Sequence, residues 1–210
     1  TERLEKAART QQESGPEELT SVVNAYFEQI IDIIQTHGGD VVKFTGDGVL
    51  ALWPLELGNG TTGNEETDLA RLTRLAAQCG LALQQTLHNY VTKDGSRLAM
   101  RIGIGSGEVF IVHLGGVFKR WEFLVAGELI IQASAAEGQA QPGQVILSPE
   151  AFERIREFCQ VAPVGGNGEP APAASRGYLL ESTPQALTPP APAPIPLAAD
   201  VEAALRPYIP

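Results

Sequence analysis

Two cysteines in 210 residues, Cys79 and Cys159, lie far apart and without metal-ligand spacing. That excludes a disulfide framework or a zinc site and suits reduced thiols in a cytoplasmic protein. The three histidines, His37, His88 and His113, are isolated from one another, so ordinary structural roles are expected of them. Cations are scarce too: 15 Lys and Arg stand against 25 Asp and Glu, a formal charge of −10. Such a balance argues against nucleic acid and anionic membrane surfaces as partners, since both select basic patches. No apolar run reaches the roughly eighteen residues of a membrane span, and no signal peptide precedes the first helix. No internal repeat is present. The opening "TERLEKAARTQQESGPEEL" lacks a start Met and an N-cap, as expected of a fragment entered partway through a helix.

What is present is ordinary for one globular domain, with 43% hydrophobic and 19% charged residues. From Pro16 to His37 the apolar residues Leu19, Val22, Val23, Tyr26, Phe27, Ile30, Ile31 and Ile34 recur at helical spacing, and Gly38-Gly39 supplies a stop. "DVVKFT" and "VLALW" then form two β-rich runs around Gly46-Asp47-Gly48, a hairpin signal. A second amphipathic helix is predicted from about Glu66 to Tyr90. Strands are predicted over Leu98 to Gly105, over Glu108 to Leu114 and in "KRWEFLVAG", followed by a helix from Glu128 to about Glu137. "GQVILSPEAFERI" reads as a strand and a short helix started by Ser148-Pro149. A last strand is predicted around Tyr178 to Glu181. Three segments result: a domain over 1–182, a Pro- and Ala-rich linker over 183–200 that should behave as extended chain, and over 201–210 the start of something further. Hairpins without regular βαβ alternation point to an α+β fold, helices packed on one face of a mainly antiparallel sheet.

The hairpin carries the chemistry. Strand alternation predicts Val42 and Phe44 towards the helices and Lys43 and Thr45 on the outer face, close to Asp47. A cation, a hydroxyl and a carboxylate thus gather in one small area. The residues alone leave two readings of Asp47, a turn residue or a metal ligand. Asp-Gly is a favoured hairpin dipeptide, and one carboxylate makes a poor Mg²⁺ site. Arg101 and Lys119-Arg120 suit a solvated strand edge or a phosphate, and Trp53 and Trp121 suit the core or an interface.

"GGDVVKFTGDGVLALW" resembles the metal-binding hairpin of class III nucleotidyl (adenylate and guanylate) cyclases. The likeness continues in "MRIGIGSGEV", "FLVAGELIIQASAA" and "GQVILSPEAFERI", in the family's order, over about residues 17–182. It is strongest to the first catalytic half of soluble-type adenylyl cyclases. The resemblance implies a ferredoxin-like core and a pseudo-symmetric pair of halves with ATP between them. Two Asp residues of one half hold two ions, Mg²⁺ or Mn²⁺, for in-line conversion of ATP to cyclic AMP and pyrophosphate. By resemblance Asp47 is the second of these carboxylates, and Lys43, Thr45 and Gly46 contact the nucleotide or another anion. The first carboxylate belongs to a strand motif like "D-I-S-G-F-T", expected just before Thr1, so the first strand of the family fold is missing.

The helix after "Val-Ala-Gly" carries, in complete halves, an Asn that orients the ribose and an Arg that stabilises the transition state. By resemblance those positions are Ile131 and Ala135, which can do neither. The base-selecting position falls on Leu124, and the Arg of the family's bicarbonate site falls on Ser134. The expectation is therefore a first half that lends metal carboxylates to a site completed by a second half, downstream in the same polypeptide or on a dimer partner. Alone, the fragment is expected to be inactive and marginally stable. The alternative is a non-catalytic regulatory or assembly module with the same fold.

Overall fold

A computed structural model of the chain describes residues 15–55, 64–92, 95, 97–115, 121–164 and 176–189. The opening residues and the segments 190–200 and 201–210 lie outside these, so the boundaries expected there stay expectations.

Helix α1 (Gly15–Thr36) buries Ile30 and Ile34 and stops where expected. Gly38 turns at φ 76°, and the Gly39 amide donates to the Ile34 carbonyl at 3.0 Å, closing the last turn. His37 Nδ1 meets the Ile33 carbonyl at 2.7 Å, and Trp53 Nε1 donates to the His37 carbonyl at 2.9 Å. The helix end is thereby fixed to the strand that returns from the hairpin. That hairpin is β1 (Asp40–Thr45) and β2 (Gly48–Leu52). Helix α2 (Glu65–Leu87) starts at Asn64, whose side chain accepts from the Glu66 and Thr67 amides. Glu65, Glu66 and Asp68 in its first turn suit the positive end of the helix dipole.

Short strands β3 (Tyr90–Val91) and β4 (Arg97–Leu98) pair with each other, and β5 (Ile102–Ile104) begins the central sheet. Strands β6 (Phe110–Gly115) and β7 (Trp121–Ala126) form a two-stranded ribbon. Helix α3 (Glu128–Gln139), β8 (Val145–Leu147), α4 (Pro149–Ile155), β9 (Gln160–Pro163) and β10 (Tyr178–Ser182) complete the described elements, with a 3₁₀ turn Arg156–Phe158 after α4. The central sheet runs β5-β8-β10-β9, and every pairing described is antiparallel except β5 with β8. The fold is α+β with mainly antiparallel sheets, as the sequence predicts.

Helix α2 joins two cores. Ala77 packs with Ile104, Val145, Leu147, Ala151, Ile155 and Leu180 around the central sheet. Cys79, Leu83 and Leu87 pack with Ile30 and Ile34 of α1, and Val41, Val49, Ala51 and Trp53 of the hairpin region close over them. Against β5, α3 comes so near that a Cβ on Gly103 would overlap the Ala133 carbonyl, which accounts for glycine there. Buried Ser148 accepts from the Ala151 amide at 3.1 Å as the N-cap of α4 and donates to Gln132 Oε1 of α3 at 3.2 Å. Ser148→Ala is expected to cost about 1–2 kcal/mol. For a domain of this size that lowers the melting temperature by about 3–6 °C, measurable by calorimetry.

Several boundaries differ from the sequence expectation. Helix α2 ends at Leu87, not Tyr90, because His88 is already extended and Asn89 takes φ 57°. The strand predicted over Leu98 to Gly105 is split into β4 and β5. Strand β9 was not anticipated, and Thr183–Pro189 is not free linker but lies along α2, as set out below.

Candidate functional site

The hairpin sequence folds as a period-2 pair with one irregularity. Thr45 pairs with Gly48, so the two turn residues are Gly46 and Asp47, with φ 70° at Gly46 and no positive φ at Asp47. Glycine at the first central position is the requirement of a type II′ turn. The Asp-Gly pairing of the sequence reading is thus shifted by one residue, and Asp47 is held at the tip by its neighbour's freedom. The register slips between Val41 and Lys43, which places Val42 in a bulge. In consequence Val41, not Val42, joins Phe44 on the helix side. Val41 packs in the α1–α2 core, and the Phe44 ring meets Phe27 edge-on at 5.4 Å. Lys43 and Thr45 are exposed as expected, but so is Phe44 at 50%, so exposure does not alternate along this end of the strand.

Asp47 is exposed and makes no hydrogen bond or ion pair among the described residues. Lys43 likewise has no ion pair among them. Thr45, Gly46 and Asp47 line one cavity with β2, the first turn of α2, the start of α3 and the Gly105–Glu108 turn; Lys43 is not in its wall. The four predicted hairpin residues are therefore brought together as three at the cavity and one beside it.

The cavity has a volume of about 2140 Å³, at least twice that of a pocket for a drug-sized ligand. Much of its wall is core: Ile30, Ile34, Cys79, Leu83, Ile102 and Ile104. Strands β2 and β5 both border it, and each has one described neighbour, β1 and β8 respectively. An apolar wall between two strand edges suits a piece of polypeptide better than a triphosphate.

Asp47 at the mouth offers hard oxygen ligands, the kind Mg²⁺ and Mn²⁺ take. No group of three His, Cys, Asp or Glu able to hold an ion occurs among the described residues. Of the other carboxylates of the wall, Glu66 pairs with Arg154 at 2.7 Å and Glu137 with Arg101 at 2.8 Å, while Glu65 and Glu108 make no ion pair among the described residues. Asp47 thus fits a divalent ion as one member of a set, and the described residues present no built set around it.

Helix α3 points Ile131 outward at 63% exposure, and Ala135, one turn on, is exposed beside Ser134. Neither Ile131 nor Ala135 can orient a ribose or meet developing charge. Leu124 is exposed on β7 and pairs with Val112. Gln132, overlooked in the sequence, accepts from the Ser106 amide at 3.1 Å and from Ser148 Oγ, while Ser106 and Thr73 share a buried hydroxyl contact at 2.9 Å. These bonds tie the Gly-rich turn after β5 to α2, α3 and β8. Single-sequence reading has no signal for such a tie.

The histidines keep structural places: His37 and His88 end helices, and His113 lies against Phe123. Both cysteines are free, and burial pushes the Cys79 thiol up to about 12, so it stays protonated. Among the described residues no helix is long and apolar enough to cross a membrane.

Residues 4–169 match the family model of the adenylate and guanylate cyclase catalytic domain. The chain belongs to that family. It is 27% identical over 139 residues to adenylate cyclase type 10 of Rattus norvegicus, covering 66% of this chain and 8% of that protein. The chain thus spans under a tenth of that curated relative. The guanylate cyclase domain of RhGC from Catenaria anguillulae, solved with GTP, superposes with a TM-score of 0.64 at 16% identity, covering 86% of this chain and 91% of that one. The adenylyl cyclase CyaB from P. aeruginosa superposes at 0.62 with 18% identity, covering 88% and 91%. At those identities the likeness speaks for the fold of a cyclase catalytic domain.

Proposed function

We propose that this chain is the first catalytic half of a soluble-type adenylate cyclase of the cytoplasm, converting ATP to cyclic AMP and pyrophosphate once paired with a second half. The observation that carries it is Asp47, an uncommitted carboxylate at a hairpin tip on the rim of a cavity bordered by two strand edges. A further strand between β2 and β5, bearing the second carboxylate, completes the metal set. Two divalent ions, Mg²⁺ or Mn²⁺, would there supply charge neutralisation of the triphosphate and activation of the ribose hydroxyl. In this chain Asp47 holds ion, Thr45 and Gly46 border the phosphates, and Lys43 contacts the base or another anion. Ile131 and Ala135 leave ribose orientation and transition-state charge to the second half. The ribbon β6–β7 leaves apolar side chains exposed on both faces, Phe110 and Leu114 on one and Ile111 and Phe123 on the other, which supports a protein partner at this ribbon. The preference for ATP rests on the likeness to an adenylate cyclase.

The test is turnover by the paired halves with Mn²⁺, assayed separately with ATP and GTP. Cyclic AMP formation with little cyclic GMP is expected. The reverse preference would refute the base assignment, and inertness to both nucleotides would favour a non-catalytic regulatory or assembly module. Ile131 and Ala135 are the residues that support this second reading, since this half by itself lacks the groups that finish the chemistry.

A further inference from the structure

After β10 the chain does not leave the domain. Residues Thr183–Pro189 turn back along the outward face of α2, where Arg71, Arg74 and Gln78 stand in a row at helical spacing. Gln78 pairs with this strap as a neighbouring strand would. Its Nε2 donates to the Gln185 carbonyl at 2.6 Å, and its Oε1 accepts from the Leu187 amide at 3.0 Å. Arg71 Nη2 donates to the Thr188 carbonyl at 3.0 Å. Arg74 Nη2 donates to Gln185 Oε1 at 3.1 Å, while its guanidinium lies 4.1 Å over the Phe158 ring. Three of these four bonds address the strap's backbone.

The lengths agree. From Gln78 back to Arg71 a helix rises about 10.5 Å, and Gln185 to Thr188 spans at most about 10 Å of extended chain. Pro184 and Pro189 bracket the segment and bias Thr183 and Thr188 to extended conformations, lowering the entropy cost of docking. The strap runs towards the N-terminal end of α2, and there Glu65 and Glu66 line the cavity that Asp47 borders.

We propose that the Arg71–Arg74–Gln78 face of α2 is a docking rail for the segment Thr183–Pro189, and that it directs the chain after Ser182 along α2 towards that helix's N-terminal end. Without the rail the connection would start at the end of β10 and sample directions freely. With it, the chain at Thr188 is held beside Arg71, in the N-terminal part of α2. The inference rests on contacts within this chain and holds whether or not the paired unit is a cyclase.

Hydrogen exchange on the intact chain tests the rail. The Leu187 amide should exchange at least about tenfold more slowly than in free peptide, and Gln78→Ala should return it to the free rate. The amides of Leu147 and Leu180 in the central sheet should keep their protection, separating strap release from unfolding. Spin labels at Thr67→Cys and Thr188→Cys, in a Cys159→Ser background with buried Cys79 left in place, test the exit. One narrow distance distribution is expected, broadening on Gln78→Ala. An unprotected Leu187 amide, protection indifferent to Gln78, or a broad distribution in the parent would each overturn the proposal.

Discussion

Asp47→Asn is expected to cut turnover by the paired catalytic unit about a thousandfold or more, while the melting temperature of this chain stays within about 2 °C of the parent. The two halves of this expectation have separate grounds. Asp47 is exposed and has no partner among the described residues, so folding loses no bond when its charge goes. The turn depends on Gly46 at φ 70°, and Asn is at least as acceptable as Asp beside it. Function is the opposite case. A thousandfold is about 4 kcal/mol, the size of removing one preorganised group that stabilises developing charge. A neutral amide of the same shape keeps the geometry and removes the attraction for a hard divalent ion. Turnover of ATP by parent and variant under saturating Mn²⁺, with calorimetry on both, decides the matter. Equal rates would remove Asp47 from the metal set, and a large loss of melting temperature would make it a folding residue.

The hairpin was legible because a period-2 pattern, a Gly-Gly stop before it and a glycine turn all agree locally. Its finer geometry was not. Whether the turn is Gly46-Asp47 or Asp47-Gly48 depends on cross-strand register, and the bulge at Val42 is set by the joint packing of Val41 and Phe44 against α1. The split between β4 and β5 has a similar origin. Gly143 and Gln84 both donate to the Met100 carbonyl, and there the chain leaves its partner β3 for β8. No property of "RLAMRIGIG" announces that change of neighbour. The strap escaped for another reason. A Pro- and Ala-rich run has no core pattern of its own, and Arg71, Arg74 and Gln78 look like a solvated helix face until the chain that they hold is in place. At the site, the family resemblance singled out Asp47, Ile131 and Ala135, whereas residue types alone left Asp47 as a turn residue or a metal ligand. That Lys43 lies outside the cavity wall needed coordinates.

Extending this chain at its N-terminus by a strand of the form Asp-x-x-Gly-Phe-Thr should raise its melting temperature by about 3–6 °C, and only the extended chain should be stabilised further by Mn²⁺. The two apolar side chains that such a strand can turn to one face, against Ile30, Ile34, Leu83 and Ile104, would gain about 1.5–3 kcal/mol each. Some six backbone hydrogen bonds to β2 and β5 would add about 0.5–1.5 kcal/mol apiece. Ordering six residues costs about 1–2 kcal/mol each, which leaves a net gain of about 1.5 kcal/mol at the midpoints. At this size each kcal/mol moves the transition by about 2–4 °C. The ion effect is separate, because a second carboxylate beside Asp47 turns one ligand into a site. Mn²⁺ at a hundred times its dissociation constant then contributes about 2.7 kcal/mol more. Replacing either carboxylate by its amide in the extended chain should abolish that increment and leave the strand's own contribution intact. An extension that fails to raise the melting temperature would show that β2 and β5 do not receive a strand. Equal stabilisation of the unextended chain by Mn²⁺ would place the ion at groups other than this pair.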